Sequence, residues 1–216
     1  GALSGAMMGS GIENQIWHNY WSNGGQFGLH SNYGARVMGQ LARAGVYNLP
    51  LESPAYSLAL DYKSSLLGNE INVHIDDNFG EKTVNTFKNK IDGSIRILNE
   101  AEPNLTSYAK GALNKLKGLS VRKGIPSGMD FTNATFDIGV QTLRGSNNWI
   151  ASTIIHDSYH NFLFPYGLGF DECLALQEQI YNMHTVGLSD VEMTHLLDIY
   201  NSPPAYADVP YNQRNW

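Results

Sequence analysis

The sequence predicts an α+β domain, mainly helical, with a small mixed or antiparallel sheet and an irregular N-terminal extension. Three observations carry that reading. Long stretches beyond residue 80 place apolar residues three or four apart, the period of a helix with one buried face. Two short stretches alternate apolar and polar residues instead, as half-buried strands do. The first 35 residues keep neither period and are rich in glycine and asparagine.

The chain has 216 residues, enough for one domain with a real core. Its 14 Lys+Arg stand against 20 Asp+Glu, a formal charge of -6. A protein built to neutralise phosphates would be basic, so nucleic acid is not the expected partner. The single cysteine excludes an intrachain disulfide framework and a Cys-rich zinc site. Apolar runs fall far short of the roughly 20 residues that span a bilayer. The chain opens on Gly1 rather than Met, as expected of a piece of a longer protein, and GALSGAMMGSG reads as a flexible linker without the charged start of a signal peptide.

Segment 1–35 is therefore expected to be irregular, and 36–216 to form one domain. Arg36–Ala44 reads as a short helix. Ser53-Pro54 reads as the start of another, running to about Leu67 and stopped by Gly68. Ile71, Val73 and Ile75 alternate with polar residues, which predicts a strand with His74 on its polar side. Val84, Phe87, Ile91, Ile95 and Leu98 predict an amphipathic helix from about Glu81 to Ala101. Pro103 separates it from a second helix reaching Leu119. Lys110, Lys115, Lys117, Arg122 and Lys123 form the one basic patch, which lacks interleaved aromatics and reads as a solvated face. Short strands are expected at Leu119–Val121 and at Thr135–Thr142, the latter as an edge strand.

From Asn147 the helical signals are strong. Asn147 or Asn148 can cap a helix running to about Phe164, broken by Pro165, Gly167 and Gly169. Asp171 can cap the next, which ends at Gly187. Ser189 and Glu192 stand three apart, the capping-box spacing, before a helix to about Tyr200.

Seven histidines are present, and two of them, His156 and His160, stand four apart in the first of these helices. That spacing puts both imidazoles on one face about one turn apart, where a single tetrahedral ion can bridge them. Asp157 lies between them, so H-D-S-Y-H differs from the zinc-peptidase motif H-E-x-x-H only by Asp for Glu. A third ligand is required, and the next helix offers Glu172 and Glu178. Its apolar stripe is Cys173, Leu176, Ile180 and Met183. Glu172 lies four residues before Leu176, along that stripe. Glu178 falls about 200° round the helix from it, toward solvent. An acidic group on an inward stripe needs a partner, which selects His156, His160 and Glu172 as ligands of one zinc ion. Gln179, seven residues beyond Glu172, shares its face and could orient that carboxylate.

The order of strand, H-D-x-x-H helix, turn and glutamate helix resembles the zincin metallopeptidase scaffold. More narrowly, IASTIIHDSYHNF followed by DECLALQEQI is similar to the metallopeptidase domains at the C-termini of Rhs and other polymorphic-toxin proteins, over about residues 130–187. The resemblance implies a zincin-like domain with active-site helices at about 148–187 and hydrolysis of peptide bonds. It assigns the zinc ligands to His156, His160 and Glu172 and the general acid/base to Asp157. It also implies a peptide or protein substrate, a cognate inhibitor or immunity protein, and delivery by a bacterial secretion system as part of a larger protein. In that scheme zinc acidifies a water, Asp157 takes its proton, the hydroxide attacks an amide carbonyl, and Asp157 returns the proton to the leaving amine. Tyr159, His184, His195 and Tyr200 are the available oxyanion donors. Aspartate is one methylene shorter than glutamate, which draws the carboxylate back by about 1.5 Å. A general base must come within roughly 2.6–3.2 Å of the proton it takes, so a shifted helix or metal has to compensate.

Two rival readings remain at this level. His156-Asp157 is also a His-Asp doublet of the HD-type metal phosphohydrolases, an all-helical fold that would draw on His74 and Asp190 or Asp198. A zincin scaffold that has lost catalysis and serves as a metal-binding or interaction module is the other. Cys173, on the apolar stripe, reads as a buried structural thiol.

Overall fold

A computed structural model describes residues 59–202, 209–210 and 213–216. The expected irregular segment 1–35, the short helix at 36–44 and the start of the helix at 53–54 lie outside these. The described chain is mixed α+β, as expected, with five α-helices and a five-stranded mixed sheet. It contains no helix long and apolar enough to cross a membrane.

The first strands, β1 (Leu60–Leu66) and β2 (Asn69–Ile75), form an antiparallel hairpin that pairs Leu60 with Ile75 and Leu66 with Asn69. This corrects the helix expected to run to Leu67. Leu60, Tyr62, Ser64 and Leu66 turn inward in strict alternation with exposed Asp61, Lys63 and Ser65, a period of two that a Pro-led helix start obscured. Gly68, read as a helix stop, is the second residue of a two-residue turn. Leu67 and Gly68 both have positive φ, 48° and 77°, the primed geometry that suits a twisted hairpin.

Helix α1 (Glu81–Ala101) has the expected bounds and buries Val84, Ile91, Ile95 and Leu98. Burial of each such side chain contributes about 1.5–3 kcal/mol. Helix α2 (Ser107–Lys115) is capped by Thr106, whose side chain accepts from Ala109 N, and stops short of the expected Leu119. The strand expected at Leu119–Val121 is present as β3 (Gly118–Val121), buried along its length and parallel to β2. β4 (Gly128–Asp130) and β5 (Thr135–Asp137) complete the order β1-β2-β3-β5-β4. β5 is parallel to β3 and antiparallel to β4, so the strand expected at the edge is internal and β4 takes the edge. It also ends at Asp137 rather than Thr142. The chain leaving it passes so close to the 126–127 loop that a Cβ on Gly139 would sit 2.7 Å from Ser127 N.

Helix α3 (Asn147–Leu163) is the centre of the molecule, packed against α1, α2, β4, β5 and the following helix α4 (Glu172–Asn182). Its cap is Ser146, one residue before the asparagines expected to supply it. Asp171 caps α4 by accepting from Leu174 N. That helix closes at Asn182, five residues before Gly187. α5 (Asp190–Asn201) begins with the expected capping box of Ser189 and Glu192. Among the basic residues, Arg122 is bound to buried Asp137, Lys123 reaches Asn78 O, Lys110 reaches Pro103 O, and Lys115 lies over the Phe162 ring.

Candidate metal centre

Helix α3 is an unusual support for a site because it has no solvent face over much of its length. Every residue from Trp149 to His160 is buried. Its polar residues therefore project into the interior, where each needs a partner. His156 and His160, one turn apart, turn their Nε2 atoms to within 3.1 Å of each other, with ring centroids 4.8 Å apart and planes at 77°. Glu172, the first residue of α4, brings Oε2 to 3.2 Å from His156 Nε2 and 3.6 Å from His160 Nε2. All three side chains are buried, the two imidazoles to 2% exposure.

The triangle has the dimensions of a metal site. Tetrahedral bonds of about 2.0–2.1 Å place ligand atoms about 3.3 Å apart, and the three separations bracket that value. The three residues thus form a buried group able to hold a metal ion, the only such group of three or more among the described residues. Their electrostatics suit a cation. Burial would raise the Glu172 carboxyl, but the charge of His160 and hydrogen bonding from both imidazoles outweigh it and hold the group well below its ordinary value. Burial pushes His156 down despite Glu172. Burial also opposes protonation of His160, yet Glu172 and Asp157 prevail and raise it.

Asp157 lies beside this group rather than in it. It is 2% exposed, and its Oδ2 has no hydrogen-bond partner. Burial lifts its carboxyl well above the ordinary range; the charge of His160 works the other way, while Glu172 and Asp137 add to the rise. Asp137, at the end of β5, is itself buried and held by Arg122 through Nε at 3.0 Å and through Nη2.

No family model, no curated protein and no solved structure matches the chain. The site is therefore judged on its own chemistry.

Several residues differ from their expected places. Glu178, expected to face solvent, is 3% exposed: it accepts from the Thr106 hydroxyl and from Asn182 Nδ2 at 3.0 Å, joining α4 to the start of α2. Cys173, expected to be buried, is exposed. The buried residues of α4 are Glu172, Ala175, Leu176, Glu178, Gln179 and Asn182, because the helix meets its neighbours through polar contacts, Glu172 with His156, Gln179 with Ser152 and Glu178 with Thr106. Gln179 does not serve Glu172; its Nε2 donates to Ser152 Oγ at 3.0 Å, and its side chain bears on His156.

The remaining candidates stand apart from the triangle. Tyr159 packs against Tyr108 and Phe162, and His195 against Trp149. His184 is exposed, and Tyr200 packs on the main core. His74 contacts Asp61 at 2.7 Å and Asp76 at 3.5 Å on β2, within a sheet that an all-helical phosphohydrolase fold lacks. Ser152 and Asp137 had not been singled out. Ser152 precedes His156 by four residues, the same spacing that marked His160, and that signal was available.

Proposed function

We propose that this chain is a zinc-dependent hydrolase of the metallopeptidase type, with a zincin-like arrangement around the H-D-x-x-H helix. The observation that carries the reading is the triangle of His156 Nε2, His160 Nε2 and Glu172 Oε2, sized for a tetrahedral ion. Three protein ligands leave the fourth position open, the pattern of catalytic rather than structural zinc. When bound, zinc supplies an acidified water and a Lewis acid for a carbonyl oxygen.

The protein's own part is to hold and move protons. His156, His160 and Glu172 would be the ligands. Asp157, a buried carboxyl next to His156 in the chain, would take a proton and return it to the leaving amine. Burial at 2% exposure keeps bulk water from that carboxyl and strengthens each charge interaction around it. In a larger carrier such a domain would act as a toxin-type effector on peptide or protein substrates and meet a cognate inhibitor.

One observation favours a second reading, a metal-holding module without catalysis. All four groups are shut from solvent, with Glu172 the most exposed at 8%. Metal analysis of the purified protein beside His160→Ala, with cleavage of a labelled unstructured protein, separates the two. Near-stoichiometric zinc, lost in the variant, with cleavage that a chelator stops, is the expected result. Zinc without cleavage would establish the holding module. Equal metal content in both proteins would end both readings.

A further inference from the structure

Strand β1 is paired on one side only. In the order β1-β2-β3-β5-β4 it is an edge of the sheet among the described residues, seven residues long with no bulge and no proline. Its outward groups follow from the hairpin. A two-residue turn is closed by a hydrogen-bonded pair, Leu66 with Asn69, and such pairs recur at every second residue. Leu66, Ser64, Tyr62 and Leu60 therefore point their backbone toward β2, while Asp61, Lys63 and Ser65 turn theirs outward. Two hydrogen bonds agree with this. Asn72, opposite Lys63, gives its N–H to Lys117 O on the far side of β2, and Ser65 O accepts from Asn99 Nδ2 on the outer edge. Asn99 thus closes one end of the edge. Among the described residues, no other side chain or strand bonds the outward N–H and C=O of Asp61 and Lys63.

A bare edge is a template for another strand, and the side chains along it say which. Asp61 and Lys63 carry opposite charges two residues apart on the exposed face. Their side chains are 73% and 66% exposed, although His74 and Glu70 of the same hairpin hold one end of each. We propose that β1 pairs antiparallel with β1 of a second copy of this chain, about a two-fold axis at Tyr62. In that register Asp61 faces Lys63 of the copy and Lys63 faces its Asp61. Each pair exchanges both backbone hydrogen bonds and sets opposite charges together. Moving the axis to Asp61 or to Lys63 would set like charges opposite, so the sequence selects the register. On the inner face, Leu60 of the copy comes opposite Ser64. Beside that small residue lies an open groove of about 490 Å³ between β1 and α1, with Ile95, Arg96 and Asn99 in its lining. Leu60 is only half-buried within its own chain, and the groove receives it. The contact is isologous, so both copies offer the same edge, groove and leucine. No metal ligand takes part, and the pairing stands whether or not the chain is a hydrolase.

Analytical ultracentrifugation of the full chain tests it. The parent is expected to form a reversible, concentration-dependent dimer, and a parent that stays monomeric up to about 1 mM overturns the proposal. Lys63→Pro removes an N–H that points away from β2, so the hairpin keeps its ladder while the dimer is expected to be lost. Lys63→Asp sets aspartates opposite each other and should weaken the dimer about tenfold or more. Combining Lys63→Asp with Asp61→Lys restores opposite charges, and the dimer is expected to return. A dimer that survives Lys63→Pro places the contact elsewhere and overturns the proposal. So does a Lys63→Asp variant that dimerises like the parent, or a double variant no better than Lys63→Asp. If circular dichroism shows that Lys63→Pro does not fold, the charge variants decide.

Discussion

Burying the Asp157 carboxyl at 2% exposure, with Oδ2 unpaired, works against folding at any pH where the unfolded chain would ionise it. A folded-state pKa raised by burial means that the folded chain holds a proton which the unfolded chain releases. The penalty is absent below the ordinary value of 3.8, where both states are protonated, and it grows as pH rises above that value. Asp157→Asn should therefore stabilise the metal-free protein at pH 7, since the amide brings no charge into the interior. The gain should vanish near pH 3.5, as urea unfolding at the two pH values would record; equal gains at both would refute this account. A residue that costs stability and is nonetheless present is what a functional group in a closed interior looks like. At this scale much of the site was legible, because His156, His160 and Glu172 follow from helical spacing alone. Glu178 was not: its partner Thr106 lies 72 residues earlier, and no local period encodes that meeting. Gln179 was recognised as facing inward but assigned to the wrong partner, since spacing gives a face and not the neighbour across it.

Helix ends carry more of the architecture than their length suggests. Glu192 completes the capping box of α5 with Ser189 and also accepts from Ser146 Oγ at 2.6 Å, the residue that caps α3. One carboxylate thus ties the start of the metal-bearing helix to a helix that begins 43 residues later in the chain, Asn147 to Asp190. Burial alone would raise its pKa, but hydrogen bonds from Ser146 and Ser189 lower it, so its stabilisation is complete above 4.5 and fades as pH falls through the lowered value. Glu192→Ala should cost about 1 kcal/mol at pH 7, the usual worth of a lost cap, and chemical denaturation would show it. A change below 0.3 kcal/mol would mean that Ser146 and Ser189 cap their helices unaided. Elements with a clear period, such as α1, or with a side-chain cap, such as α4 and α5, were legible in the sequence at least at their starts. The hairpin was not, because a residue such as Leu67 at positive φ carries no turn signature and only pairing with β2 selects that geometry. β5 was overextended for a related reason: Ile138 and Val140 continue the alternation, but only through Asp137 does the strand have a neighbour on each side.

The described part of the chain is built around a helix, with α1, α2, α4 and two strands closing on α3. A ligand that binds only this closed arrangement must stabilise all of it. Zinc at a hundredfold excess over its Kd should add about 2.7 kcal/mol, a rise in Tm of about 5–10 °C for a chain of this size. The rise should shrink as pH falls through the histidine range, where protons compete for His156 and His160, and should be absent in His160→Ala. Calorimetry with and without a chelator would measure it, and an equal rise in that variant would place the ion elsewhere. The continuous burial from Trp149 to His160 has an evolutionary consequence as well. An ordinary amphipathic helix offers its outer face to neutral drift, so related chains diverge there every third or fourth position. This stretch has no such face, and each of its twelve side chains must change in concert with a neighbour from another element. Lineages of this protein should accumulate their differences around that stretch and leave it as an island of slow change.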